Sequence, residues 1–79
     1  MVIQPPVGVV WMIKNLYFGG GWILYRKKKG DKNDILIDYG LNGGIWKNMT
    51  IIVNNDLFLS ITNTSAVSNS FGFDGLVIQ

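Results

Sequence analysis

The sequence predicts an all-β fold, a small antiparallel β-sandwich of about six to eight strands with jelly-roll-like or Greek-key connections. Three observations carry this prediction. Short runs rich in β-branched and aromatic residues recur along the whole chain. Clusters of glycine, asparagine and aspartate separate those runs and supply turn chemistry. Apolar spacing nowhere keeps a helical period for two full turns.

Met1 to Pro6 reads as an extended arm, because Pro5 and Pro6 fix their φ angles and donate no amide hydrogen bond. A first strand follows from Val9 to Phe18. Strict alternation sets Trp11, Ile13, Asn15 and Tyr17 on one face and Val10, Met12, Lys14, Leu16 and Phe18 on the other. Gly19-Gly20-Gly21 then reads as a hairpin turn. A phosphate-cradling loop would need a helix directly after it, and the next residues are strand-like.

Trp22 to Lys27 is the second strand, and Lys28 to Asp34 forms a charged hairpin tip. Ile35 to Tyr39 returns as the third strand, and Gly40 to Gly44 is a flexible loop. Ile45 to Val53 reads as a single fourth strand, closed by the turn-forming Asn54-Asn55-Asp56. Leu57 to Asn63 is the fifth strand, with Leu57, Leu59 and Ile61 on one face. Ser70 to Ile78 is the last, where Gly72 and Gly75 signal a bulge or tight bend.

Seventy-nine residues allow one domain, residues 1–79, including the arm 1–6. A domain of this size is marginally stable unless something else supports it. Cysteine and histidine are both absent, which removes disulfides and structural zinc. Hydrophobic residues make up 48% of the chain and charged residues 15%, against roughly 25% charged in ordinary domains. Burial against other copies or a partner is the expected stabiliser. The longest apolar run, Val7 to Ile13, falls far short of the roughly 20 residues of a membrane helix, and Met1 to Pro6 lacks the features of a secretory leader.

The chemistry-bearing residues are few. Asp31 and Asp34 offer oxygen ligands, but Lys32 and three preceding lysines oppose a cation there, so a solvated turn is expected and no metal. Asp38 and Asp56 are not placed together by any spacing, and without histidine or cysteine the common nucleophile–base arrangements are missing. The chain is read as a non-enzyme with no cofactor. Arg26, Lys27, Lys28 and Lys29, next to Trp22 and Tyr25, are the candidate polyanion contacts of a single-strand-binding barrel. A net charge of +2 and the neighbouring Asp31 and Asp34 favour a solvated hairpin end instead. Trp22, Tyr39 and Trp46 are candidate sugar-stacking aromatics, with core or subunit contact as the commoner use. Asn48-Met49-Thr50 and Asn63-Thr64-Ser65 match the N-glycosylation acceptor pattern, as chance allows in an asparagine-rich chain.

Ile3-Gln4-Pro5-Pro6-Val7-Gly8 leads into Trp11-Met12-Ile13-Lys14, and Gly43-Gly44-Ile45-Trp46 follows later. The chain ends with Leu59-Ser60-Ile61-Thr62-Asn63-Thr64-Ser65 and Phe71-Gly72-Phe73-Asp74-Gly75. In this combination the sequence resembles small β-sandwich virion proteins of tailed phages and other prokaryotic viruses, which decorate capsids or act as fibres. It departs from them after Gln-Pro-Pro, where acidic residues are expected, and in its hairpin lysines. The resemblance implies a virion location on a capsid surface or appendage. It also implies a homo-oligomer, such as a trimer or pentamer, bound to a major capsid or other virion protein. The expected contact residues are Ile3, Pro5 and Pro6 in the arm and Trp22, Trp46 and Phe58 as aromatic anchors. The alternatives are a carbohydrate- or receptor-binding module of a fibre and, behind it, a single-stranded nucleic-acid-binding barrel.

Overall fold

Eight strands and no helix make up the computed structural model, which describes residues 1–79. In chain order they are β1 (Val2–Ile3), β2 (Trp11–Phe18), β3 (Trp22–Lys28), β4 (Ile35–Gly40), β5 (Gly44–Trp46), β6 (Ile51–Val53), β7 (Leu57–Asn63) and β8 (Phe71–Val77). One sheet runs β1-β7-β3-β4. In the other, β2 pairs along its length with β8 and shares β5 and β6 as its remaining partners. Every pairing is antiparallel. The molecule is only 18 Å across in its shortest direction, the depth of two sheets about 10 Å apart with side chains outside them. The all-β sandwich read from the sequence is the observed fold.

Between the sheets lie Ile3, Ile13, Leu16, Phe18, Trp22, Leu24, Val53, Leu59 and Ile61. Leu59 and Ile61 alternate along β7 as a pleated strand requires, and so do Trp22 and Leu24 along β3. Asn54 closes the β6–β7 turn: its side-chain oxygen accepts hydrogen bonds from the amides of Asp56 and Leu57, both at 2.8 Å.

Four local expectations change. The three glycines after β2 do not make a hairpin, because β2 and β3 belong to different sheets and Gly19–Gly21 carries the chain across. Residues 1–6 are no free arm: β1 adds to the edge of β7, with Val2 opposite Ser60 and Ile3 opposite Leu59. The expected strand Ile45 to Val53 is broken into β5 and β6, and Asn48 between them has a φ of 57°. That left-handed residue interrupts a ladder which otherwise follows one edge of β2.

The fourth change is the phase of β2. Ile13 lies opposite Gly75, yet Asn15 lies opposite Asp74, so Lys14 is the extra residue of a β-bulge. Strict alternation therefore fails at Lys14. Ile13 faces the core before the bulge, and Leu16 and Phe18 face it afterwards. Asn15 and Tyr17 turn outward. Gly75 is needed opposite this bulge, since a β-carbon there would run into the carbonyl oxygen of Met12 and reach 3.0 Å from Cα of Ile13.

Candidate contact surface

At one end of the sandwich the aromatic residues gather. Phe18 stacks on Trp22 with centroids 4.0 Å apart, and Trp46 meets Trp22 edge-on at 5.5 Å. Phe71 completes the group against Phe18 at 6.5 Å. The Trp22 indole nitrogen donates to the carbonyl of Asn42 at 3.2 Å, so the buried ring keeps its polar atom satisfied. Gly40 leaves room for that ring, as a β-carbon there would stand 2.6 Å from the indole nitrogen.

The chain exposes 5018 Å², close to the about 4,800 Å² expected for a folded chain of its 8.8 kDa mass. Total area is therefore ordinary. Its content is not: nine apolar side chains form the buried core, while sixteen large hydrophobic ones are exposed. Several of the sixteen are grouped on two flanks. On the first, Trp11 and Phe73 lie 5.8 Å apart and join Ile13, Leu76 and Val77 around a depression of about 220 Å³. Val77 there is 71% exposed. On the second, Ile35 and Ile37 of β4 face Ile51 and Ile52 of β6 across a cleft of about 500 Å³, floored by Leu59 and edged by Arg26. Ile35 is 64% exposed although its neighbours in the cleft are apolar.

Short strands explain the openings. β1 has two residues and β5 and β6 three each, so the sheets cannot cover one another to their margins. What remains at the margins is sheet surface made of side chains suited to a core.

The basic run does not form one patch. Along β3, Arg26 and Lys28 alternate with Lys27, which places them on opposite faces of the sheet. The Lys27 ammonium pairs with Asp34 at 3.5 Å, and the Lys29 ammonium donates to the side chain of Asn55 at 2.7 Å. Arg26 makes no side-chain hydrogen bond or ion pair. Asp31 accepts a hydrogen bond from the Asn33 amide at 2.9 Å, a turn role in keeping with the solvated tip. Asp38 accepts from the amide of Tyr39 at 2.8 Å.

On the outer face of the second sheet is a polar cluster that alternation alone conceals. Asp74 accepts hydrogen bonds from Tyr17 at 2.5 Å and from Asn15 at 2.6 Å, while Asn15 accepts from the Asn48 amide at 3.3 Å. The bond from Tyr17, followed by that from Asn15, holds the Asp74 carboxyl below its usual range against a small opposing effect of desolvation. The same bond, with desolvation and the nearby negative charge, raises the Tyr17 phenol. Gly75 is the sequence signal for this cluster, because a bulge opposite it turns Asn15 and Tyr17 toward Asp74.

Three expected contact residues belong to the chain's own interior. Ile3 is fully buried, Pro5 is buried and Trp22 is 6% exposed. β1 is drawn into the sheet by pairing with β7, and Trp22 is held by its ring stack, so none of the three presents a surface to a partner. Burial also removes Trp22 from the candidate sugar-stacking rings; Tyr39 stays exposed and Trp46 is partly buried against the core. Pro6 is exposed and Phe58 is partly buried. The residues that do line the open flanks, including Ile35, Ile37, Phe73 and Val77, lie on strands whose apolar runs the sequence showed without revealing which were left uncovered.

No protein-family model matches this chain, and no curated protein or solved structure matches it.

Proposed function

We propose that this chain is a structural subunit that works by protein–protein contact, as a capsid decoration, cement or fibre-like component of a virion. The observation that carries the contact reading is the pair of open apolar flanks, one at Trp11, Phe73 and Val77 and one at Ile35, Ile37 and Ile51. Grouped apolar surface of this kind is how small domains recover burial that their own core does not provide. The virion assignment rests on the resemblance of the Gln-Pro-Pro opening, the Gly-Gly-Ile-Trp segment and the Phe-Gly-Phe-Asp-Gly ending to small virion sandwiches. A rigid two-sheet wall with sticky margins suits such a role, because it needs shape and adhesion and no reacting group.

The test is association. Light scattering over a concentration series should show a multimer, and its melting temperature should rise with protein concentration. Quantitative composition of purified particles should then give a copy number tied to capsid symmetry. A monomer whose melting is independent of concentration would overturn the contact reading, and absence from particles would overturn the virion assignment.

A further inference from the structure

The open edges of the two sheets differ in what they offer to a second copy. β4 is the last strand of its sheet, pairs only with β3 and spans six residues. Ile35, Leu36, Ile37 and Tyr39 are all exposed on it. A strand of this length with apolar side chains and an unpaired edge is a template for another strand. β8 is also an open edge, but Asp74 is its middle residue and Gly72 and Gly75 weaken it. Twofold pairing centred on β8 would set Asp74 against its own copy, and like charges directly opposite each other are destabilising. β1, β5 and β6 are too short to make a ladder.

Charge selects the direction of pairing along β4. The strand begins beside the basic hairpin tip and carries Asp38 toward its far end. Parallel pairing would bring two basic tips together. Antiparallel pairing separates them and moves Asp38 of each copy toward the basic end of the other. Arg26, opposite Ile35 on β3, has no acidic partner in its own chain. Asp38 has no cationic partner, and the Tyr39 amide occupies only one of its oxygens.

A bulge sets the register. Leu24 lies opposite Asp38 and Tyr25 opposite Leu36, which makes Ile37 the extra residue. Ile35 and Asp38 therefore share the inner face despite their odd spacing. An antiparallel ladder centred between Leu36 and Ile37 sets Ile35 opposite Asp38 of the second copy and extends the cross-strand row that already contains Leu59, Arg26 and Ile35. It also places each Asp34 opposite Tyr39 and not opposite a carboxylate.

The geometry points to a twofold dimer of this chain, formed by antiparallel β4–β4 pairing into one continuous eight-stranded sheet, with Asp38 of each copy beside Ile35 of the other and on the same cross-strand row as its unpaired Arg26. The inference rests on the reading of the chain as a contact-making subunit and names the first of its contacts. It leaves the flank at Trp11 and Phe73 free for another partner.

Sedimentation of the full chain, with isotope-filtered NMR on a mixture of labelled and unlabelled protein, tests it. A dimer is expected, with intermolecular contacts between Ile35 and Asp38. Ile37→Lys, at a position 39% exposed, should weaken the dimer by about tenfold or more, since it is met twice in a twofold interface. Leu76→Lys on the other flank should leave the dimer intact. Arg26→Gln and Asp38→Asn should each weaken it by about twofold, less than a directly opposed charge pair because Ile35 stands between them in the row, and the double variant should add little to either. A multimer that survives Ile37→Lys and shows no β4 intermolecular contacts would overturn this interface and leave the contact reading standing. A monomer at every concentration would overturn both.

Discussion

The Tyr17 hydroxyl donates to Oδ2 of Asp74 at 2.5 Å, across strands β2 and β8, on a face where strict alternation would not have put it. The pair depends on the one-residue bulge at Lys14. It makes the stability of the β2–β8 ladder sensitive to pH at both ends of the scale.

For Asp74 the folded pKa lies below the ordinary 3.8, so its contribution is present above that value and is lost as pH falls through the depressed one. For Tyr17 the folded pKa lies above 10.0, so its contribution is present below 10.0 and is lost as pH rises through the raised one. Comparing urea midpoints of the wild type and Tyr17→Phe should show a gap on the plateau between these limits that narrows outside them. A gap unchanged from acid to alkali would show that the hydroxyl contributes nothing through Asp74.

Gly75→Ala should cost about 1–3 kcal/mol, because the added methyl meets backbone atoms of Met12 and Ile13 that cannot move independently of the bulge. Gly44→Ala, where a β-carbon meets nothing within 4 Å, should stay within about 0.5 kcal/mol of the wild type. Equal effects in chemical denaturation would remove the bulge from the account of β8.

Ile3→Ala should destabilise the fold by about 2–5 kcal/mol, as for other fully buried aliphatic residues. Pro6→Ala, at an exposed position, should change stability by about 0.5 kcal/mol or less. If Ile3→Ala instead left denaturation unchanged and weakened only association, the segment would be an arm after all.

Trp22→Ala should cost about 3–5 kcal/mol, since the ring is stacked on Phe18 and enclosed by Trp46 and Gly40. Glycan binding lost in that variant would therefore report unfolding. Tyr39→Ala is the informative substitution for a stacking site, and it should leave the melting temperature nearly unchanged because Tyr39 is 65% exposed.

Retention on single-stranded DNA should be weak and nearly indifferent to replacing Lys27 and Lys29 with glutamine. The first of these side chains is paired to Asp34 and the second is bonded to Asn55. Strong retention that falls steeply with salt and disappears in the double variant would restore the polyanion reading.

The class of the fold and the position of most strands were legible in the chain alone, because β-branched runs and glycine, asparagine and aspartate turns act through local backbone preference. Leu57 to Asn63 is an example in which the expected and observed strands coincide. Gly75 announced an irregularity without saying which strand would carry it. Packing of the strands was needed to carry Gly19–Gly21 between sheets, to let Lys14 reverse the phase of β2, and to put Ile3, Pro5 and Trp22 inside while Ile35 and Val77 lie outside. These outcomes depend on which strands become neighbours and where each sheet ends. An isoleucine in β1 and one in β4 have the same local preference; the strand laid against each of them decides which is buried.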